Sequence, residues 1–235
     1  MPRRKRGWID NACYHITHRC HNKEFLFHYK KYRRYYVRHL FLMSKRYKIE
    51  VLNFVVTSNH VHLLLVAKKG ERISDGLRYL HGRVAQWRNL ELKLSGSFWS
   101  DRFHSTLIQD GVHLGKCLFY IDLNMVRAGV VRHPSEWDSC GYGEFYNPKQ
   151  RCGIVNMPRL LRVLDIPDVE NFRKWHTLTL DELIRKRDNA RKDFWSRAFA
   201  VGDPDWLRER LRESGRKRMK VMETGDISFA IGKTV

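Results

Sequence analysis

The sequence predicts an α+β protein built on a split βαββαβ antiparallel sheet, with an added tyrosine-bearing helix and a helical C-terminal extension. Two observations lead to it. Short β-branched and aromatic runs alternate with longer stretches whose apolar residues recur at three- and four-residue steps. Two of the strand-like runs are separated by only three residues, which is the mark of an antiparallel hairpin.

The elements follow in order. Residues 12–19 carry aromatic and β-branched side chains and read as a short strand. From Phe25 to Tyr47 the spacing of Phe25, Tyr29, Tyr32, Tyr36, Leu40 and Met43 predicts a helix, with Lys30, Lys31, Arg33 and Arg34 on a solvated face. Ile49–Val56 and His60–Val66 are strands joined by the turn Thr57-Ser58-Asn59. A second helix is expected from Ile73 to Leu94, a strand from Phe103 to Ile108, and a third helix from His113 to Val126. Beyond Pro134, residues 137–146 read as a wrapping loop, and helices are expected at Leu180–Phe199 and Asp205–Leu211. A short apolar piece, Ile227–Ile231, follows. This divides the chain into a domain over 1–146 and a basic, mainly helical extension over 147–235.

Composition narrows the partners. With 45 basic against 25 acidic residues, the net charge of +20 favours a polyanion, most simply nucleic acid. The 43% hydrophobic content excludes a disordered chain. Five cysteines without a CxxC pair fit a reducing compartment better than a disulfide scaffold. No apolar run approaches the ~20 residues needed to span a bilayer. The expectation is a cytoplasmic, nucleoid-associated protein, and the basic start Arg3, Arg4, Lys5 and Arg6 is a candidate DNA-contacting arm.

Four side chains suggest chemistry. Along a strand His60 and His62 project to one face, where two imidazoles can share a metal ion. Either histidine alone is as readily explained by packing. Tyr120 and Asn124, four apart on the third helix, also share a face. Together they make a specific proposal. A phosphodiester repels nucleophiles and a phenol of pKa near ~10 is a weak one, so an adjacent divalent ion is needed to neutralise charge and orient the phosphate. Two histidines leave room for a third ligand, and the Asn124 amide oxygen is placed to supply it. Such mixed ligands suit Mg²⁺ or Mn²⁺.

At this point a resemblance can be stated. Residues 57–64, Thr-Ser-Asn-His-Val-His-Leu-Leu, resemble the metal-binding motif of the HUH single-tyrosine transposases. Residues 120–129, Tyr-Ile-Asp-Leu-Asn-Met-Val-Arg-Ala-Gly, resemble their tyrosine-helix motif in the form seen in REP-associated tyrosine transposases. Gly96–Phe103 is similar to the family's Gly/Trp/Arg-Phe segment, and Tyr14-His15-Ile16 to its first strand. The resemblance covers about residues 8–146. It implies a ferredoxin-like core, binding of single-stranded DNA with hairpins from palindromic repeats, and metal-dependent cleavage. The product it implies is a 5′-phosphotyrosine with a free 3′-hydroxyl. It carries over Tyr120 as nucleophile, His60 and His62 as metal ligands and, less firmly, Asn124 as the third. Two positions depart from the pattern: Ser58 and Met125 stand where the family usually has proline. Losing the second proline removes a helix stop and leaves the pose of Asn124 open.

Further residues are weighed beside these. Cys13, His15, His18, Cys20 and His21 crowd together, but strand alternation sends them to opposite faces, against a zinc site. His15 is expected on the sheet surface near DNA. Arg102 and Arg127 are candidate phosphate contacts, with ion pairs to Asp101 or Asp122 as the alternative. Trp99 reads as core. A non-catalytic nucleic-acid-binding regulator and a metal-dependent RNA nuclease are the competing readings, and both a monomer and a homodimer are compatible with the sequence.

Overall fold

Side chains alternate across the two central strands, and this alternation sorts the protein into layers. In the computed structural model, which describes residues 7–148, 151–186, 192–214, 219–224 and 229–233, β1 (Cys13–Arg19) lies between β3 (His60–Ala67) and β4 (His104–Ile108) and runs antiparallel to both. The hairpin partner β2 (Ile49–Val56) closes that edge. The resulting order β2-β3-β1-β4 is that of the expected split βαββαβ sheet. Val61, Leu63 and Leu65 of β3 face one core with Tyr14 and Ile16 of β1. Leu64 and Val66 face the other core with Cys13.

Helices cover both faces. On the first, α1 (Lys30–Tyr47) and α2 (Arg72–Glu91) bury Tyr36, Leu40, Met43, Leu77 and Leu80. On the second, α3 (Val112–Asp122) buries Leu114, Leu118 and Ile121, and the short α4 (Asn124–Arg127) follows it. Helix α1 begins five residues later than its apolar spacing suggests. The preceding segment uses its backbone elsewhere: Phe27 donates to the Ser58 carbonyl at 2.9 Å, and the carbonyls of Phe27 and His28 accept from Arg33. Arg33, expected in solvent, is therefore buried, stacked 4.5 Å from the Trp137 ring centre. These bonds tie the start of α1 to the turn that carries His60.

The second half differs more from expectation. Residues 137–146 hold a short helix, α5 (Tyr142–Tyr146). Two helices follow, α6 (Met157–Leu164) and α7 (Val169–Arg185), capped by the Asn156 and Asp168 side chains. In place of one helix over 180–199, α7 stops at Arg185 and a four-residue α8 (Phe194–Arg197) leads into a strand. That strand, β5 (Ala200–Gly202), pairs parallel with β4. After α9 (Pro204–Ser214), β6 (Met219–Glu223) and β7 (Phe229–Lys233) complete a seven-stranded sheet of order β2-β3-β1-β4-β5-β7-β6. The extension is thus mixed, and its strands continue the sheet. Among the described residues no helix is long and apolar enough to cross a membrane.

One buried polar network locks α3 in place. The register of β2 shifts between Val51 and Asn53, a bulge that turns Asn53 toward α3. Its amide donates to Asp122 Oδ1 at 2.8 Å, while His176 of α7 lies 2.9 Å from Oδ2. Both members of the Asp122–His176 pair have fully buried side chains. Removing one partner of such a pair strands the other in a low-dielectric site. His176→Ala should destabilise the protein by about 3–5 kcal/mol in urea unfolding, and a loss under about 1 kcal/mol, the range of an exposed pair, would exclude this role.

Candidate active site

Strand parity brings the predicted residues together. On β1, His15, Thr17 and Arg19 share the α3 face, with Thr17 paired opposite His62 and Arg19 opposite His60. His62 is buried and His60 half-buried at the start of β3. Their ring centres are 4.9 Å apart. From α3, the Tyr120 ring sits edge-on to His62 at 5.8 Å and to His15 at 6.0 Å. Asn124 Nδ2 lies 3.1 Å from His62 Nε2.

The turn before β3 orients His60. Thr57 Oγ1 accepts from the backbone N–H groups of Asn59 and His60 and donates to the His60 carbonyl. His60 Nδ1 meets Asn59 Oδ1 at 2.7 Å. An amide oxygen only accepts, so Nδ1 carries the proton, and in the neutral ring the lone pair lies on Nε2. Ser58, in the place where the family usually has proline, contributes its carbonyl to Phe27.

Tyr120 and Asn124 do not lie on one uninterrupted helix. The chain leaves α3 at Leu123 and restarts as α4, and the Tyr120 carbonyl accepts from both terminal nitrogens of Arg127, at 2.8 and 3.3 Å. The same guanidinium lies 4.3 Å from the Tyr120 ring centre. Arg127 thus holds the tyrosine by its backbone and its ring, while the Asp122 carboxylate is engaged by Asn53 and His176. On the other side Trp195 of α8 packs 6.1 Å from the Tyr120 ring. Tyr120 is 9% exposed.

A cleft of ≈ 600 Å³ opens beside this group, lined among others by Thr17, Arg19, Lys23, His60, His62 and Arg197. Arg19, Lys23 and Arg197 give this lining three cations, against one carboxylate, Asp193, which lies 3.5 Å from Arg197; the excess of positive charge suits phosphate. Arg19, Lys23 and Arg197 were not singled out in the sequence, although Arg19 continues the His15-Thr17 alternation and was within reach of that argument.

Other candidates fall elsewhere. His15 is not on the surface: it is fully buried, with Nε2 2.8 Å from His62 Nδ1 and Nδ1 2.8 Å from the Trp195 carbonyl, so it offers no nitrogen to DNA. Arg102 is exposed in the turn before β4, where its N–H binds Asp101 Oδ1, and it does not line the cleft. Arg3, Arg4, Lys5 and Arg6 lie outside the described residues. The Cys/His crowd of β1 is divided as expected, His18 stacking on Trp99 and lying 2.9 Å from His81 on the opposite side of the sheet. Among the described residues no group of three or more His, Cys, Asp or Glu is arranged to hold a metal, so any ion at His60 and His62 needs the amide oxygen of Asn124 or an outside ligand.

Burial dominates the electrostatics. It pushes His15 down to about 4 and His62 well below the usual imidazole value; for His62, the charges of His60, His15, Arg127 and Arg19 add to the effect. Between about pH 4 and 6.5 the unfolded chain therefore binds more protons at these positions than the folded one, and stability rises with pH. In chelator-treated buffer the urea midpoint should fall as pH drops from 6.5 toward 4, and less steeply in His15→Gln. Equal slopes for the two proteins would contradict the buried, neutral state of His15.

Comparison with known proteins gives a family-model match and a likeness of fold. Residues 9–124 match the family described as Transposase IS200 like. The fold resembles the structure of a REP-associated tyrosine transposase bound to a REP hairpin, with a TM-score of 0.52 and 19% identity over 63% of this chain and 86% of that one. A putative transposase from Deinococcus radiodurans R1 aligns with a TM-score of 0.35 and 18% identity, over 44% of this chain and 84% of that one. Among curated proteins no match is found. Over residues 9–124, just under half of its length, the chain is therefore similar to the IS200-like transposase family.

Proposed function

We propose that the chain is a metal-dependent single-stranded DNA endonuclease and strand transferase that acts on hairpin-bearing repeat DNA through a 5′-phosphotyrosine intermediate. The observation that carries this reading is the convergence of Tyr120, His60, His62 and Asn124 beside a cation-lined cleft. The hairpin substrate is suggested by the REP hairpin bound in the structural neighbour. A DNA substrate makes the nucleoid its place of work.

The residues present fit a divalent ion. His60 and His62 would hold it by Nε2, and a half-turn of the Asn124 amide would bring Oδ1 to the side that Nδ2 now occupies. Imidazole nitrogens with an amide oxygen suit Mn²⁺ or Mg²⁺ in an open site. When bound, the ion supplies charge neutralisation at the phosphate.

The chain's own groups do the rest. The Tyr120 phenol oxygen forms a bond to phosphorus as the bond from phosphorus to the 3′-oxygen breaks; the phenol loses its proton and the departing 3′-oxygen gains one. The phosphate stays with the 5′ end of the downstream strand, joined to Tyr120, and attack by a 3′-hydroxyl reverses the step without ATP. Arg127 fixes the phenol's carrier by holding its carbonyl and covering its ring. Arg19, Lys23 and Arg197 bind phosphates flanking the scissile one. Exposed Arg102 and the basic run Arg3, Arg4, Lys5 and Arg6 add phosphate contacts by charge.

Hairpin-bearing single strands from palindromic repeats near the gene, incubated with protein and Mn²⁺, should give a covalent adduct resistant to denaturing electrophoresis. Tyr120→Phe should abolish the adduct yet keep salt-sensitive binding, and chelation should abolish it in the wild type. Binding with no adduct on any such repeat would favour a non-catalytic regulator; cleavage that survives Tyr120→Phe would favour a nuclease without a covalent step.

A further inference from the structure

The contacts of His15 give it a use that its burial alone does not explain. It stands in a chain of three groups: the Trp195 carbonyl, the His15 ring and the His62 ring, joined by two contacts of 2.8 Å. His15 is 0% and His62 3% exposed, so neither contact competes with bulk water. The two imidazoles are nearly parallel, at an interplanar angle of 12°.

The polarity of this chain follows from what each atom can do. A carbonyl oxygen only accepts, so His15 Nδ1 carries a proton and donates to Trp195. A ring fully buried between that carbonyl and a second imidazole, with no carboxylate in either contact, holds a single N–H, and its Nε2 must then accept. The only donor available to that contact is an N–H on His62 Nδ1. His62, donating from Nδ1, is left with its lone pair on Nε2, the nitrogen that Asn124 Nδ2 approaches to 3.1 Å. The far end of the chain is itself anchored. The Thr106 hydroxyl of β4 lies 3.1 Å from the Trp195 carbonyl and 2.9 Å from that of Ala198, which also meets His104 Nε2 at 2.9 Å.

We propose that His15 is a positioning residue that fixes the ring orientation and proton location of His62, so that the Nε2 lone pair is presented to the metal site, with the Trp195 carbonyl of the C-terminal segment fixing His15 in turn. This rests on the reading of His62 as a metal ligand. A ligand histidine whose second nitrogen is held by a fixed acceptor keeps one tautomer and one pose, and loss of such support lowers metal affinity by about 10–100-fold. Asparagine and glutamine side chains offer a donor and an acceptor at their tips, so glutamine at position 15 can accept from His62 and donate to Trp195 in the same sense.

Two measurements test the proposal. In metal-free protein labelled with ¹⁵N-histidine, His62 should show a protonated Nδ1 and an unprotonated Nε2. His15→Phe should release this preference toward a mixture or the opposite tautomer, and His15→Gln should restore it. Binding of Mn²⁺ alone, followed by the loss of its free-ion electron paramagnetic signal, should weaken about 10–100-fold in His15→Phe and recover in His15→Gln. A wild-type His62 protonated on Nε2 overturns the relay without any variant, so misfolding of His15→Phe cannot shield it. Unchanged Mn²⁺ affinity in a folded His15→Phe overturns the positioning role. If the wild type binds no Mn²⁺, the metal reading fails, and the tautomer measurement still decides whether the relay exists.

Discussion

The two-residue period of the strands is the constraint on which the rest of this molecule depends. Odd positions of β1 and even positions of β3 face α3 and the extension; the complementary positions face α1 and α2. A slip of one residue would exchange the sets, placing His60 and His62 under the α1–α2 layer and Leu63 and Leu65 in the cleft. The apolar run on the far face makes that exchange prohibitive, since each buried leucine is worth roughly 1.5–3 kcal/mol. The hydrophobic packing of one face thus sets the register of the polar chemistry on the other.

Much of this was legible because it is periodic. The strands around Ile16, Phe54 and Leu64 and the helices around Leu40 and Leu80 announce themselves by spacing, and the parity of His60 and His62 follows from it. What escaped depends on partners distant in the chain. Arg33 reads as a surface cation until the carbonyls of Phe27 and His28 and the Trp137 ring surround it. Strands of three to five residues such as Ala200–Gly202 and Met219–Glu223 are too short to show a period; the first pairs with the edge of β4 and the second with β7. His15 reads as a surface residue from its strand alone; its burial depends on Trp195, 180 residues away in the chain.

The break between Tyr120 and Asn124 illustrates how a local defect is accommodated. An interrupted helix leaves a carbonyl in need of a donor, and buried carbonyls are rarely left unmet. Here a side chain seven residues on supplies it, and in doing so clasps the ring of the residue whose carbonyl it satisfies. A proline after Asn124 would enforce the break by geometry; with Met125 in that place, the clasp accompanies it. In the same last turn of α3, Asp122 is held from β2 and from α7 at once. The tyrosine therefore rides on a helix restrained by both halves of the chain.

The Trp195 contact to His15 is made by a main-chain oxygen, and this has an evolutionary consequence. No side chain need be kept at that position for the contact to persist; only the path of the backbone must be. It lies 71 residues beyond the end of the family match at residue 124. A lineage could replace most of the extension's sequence while inheriting its trajectory, and a comparison of letters would register a dispensable tail. Only superposed backbones would reveal what such a tail retains.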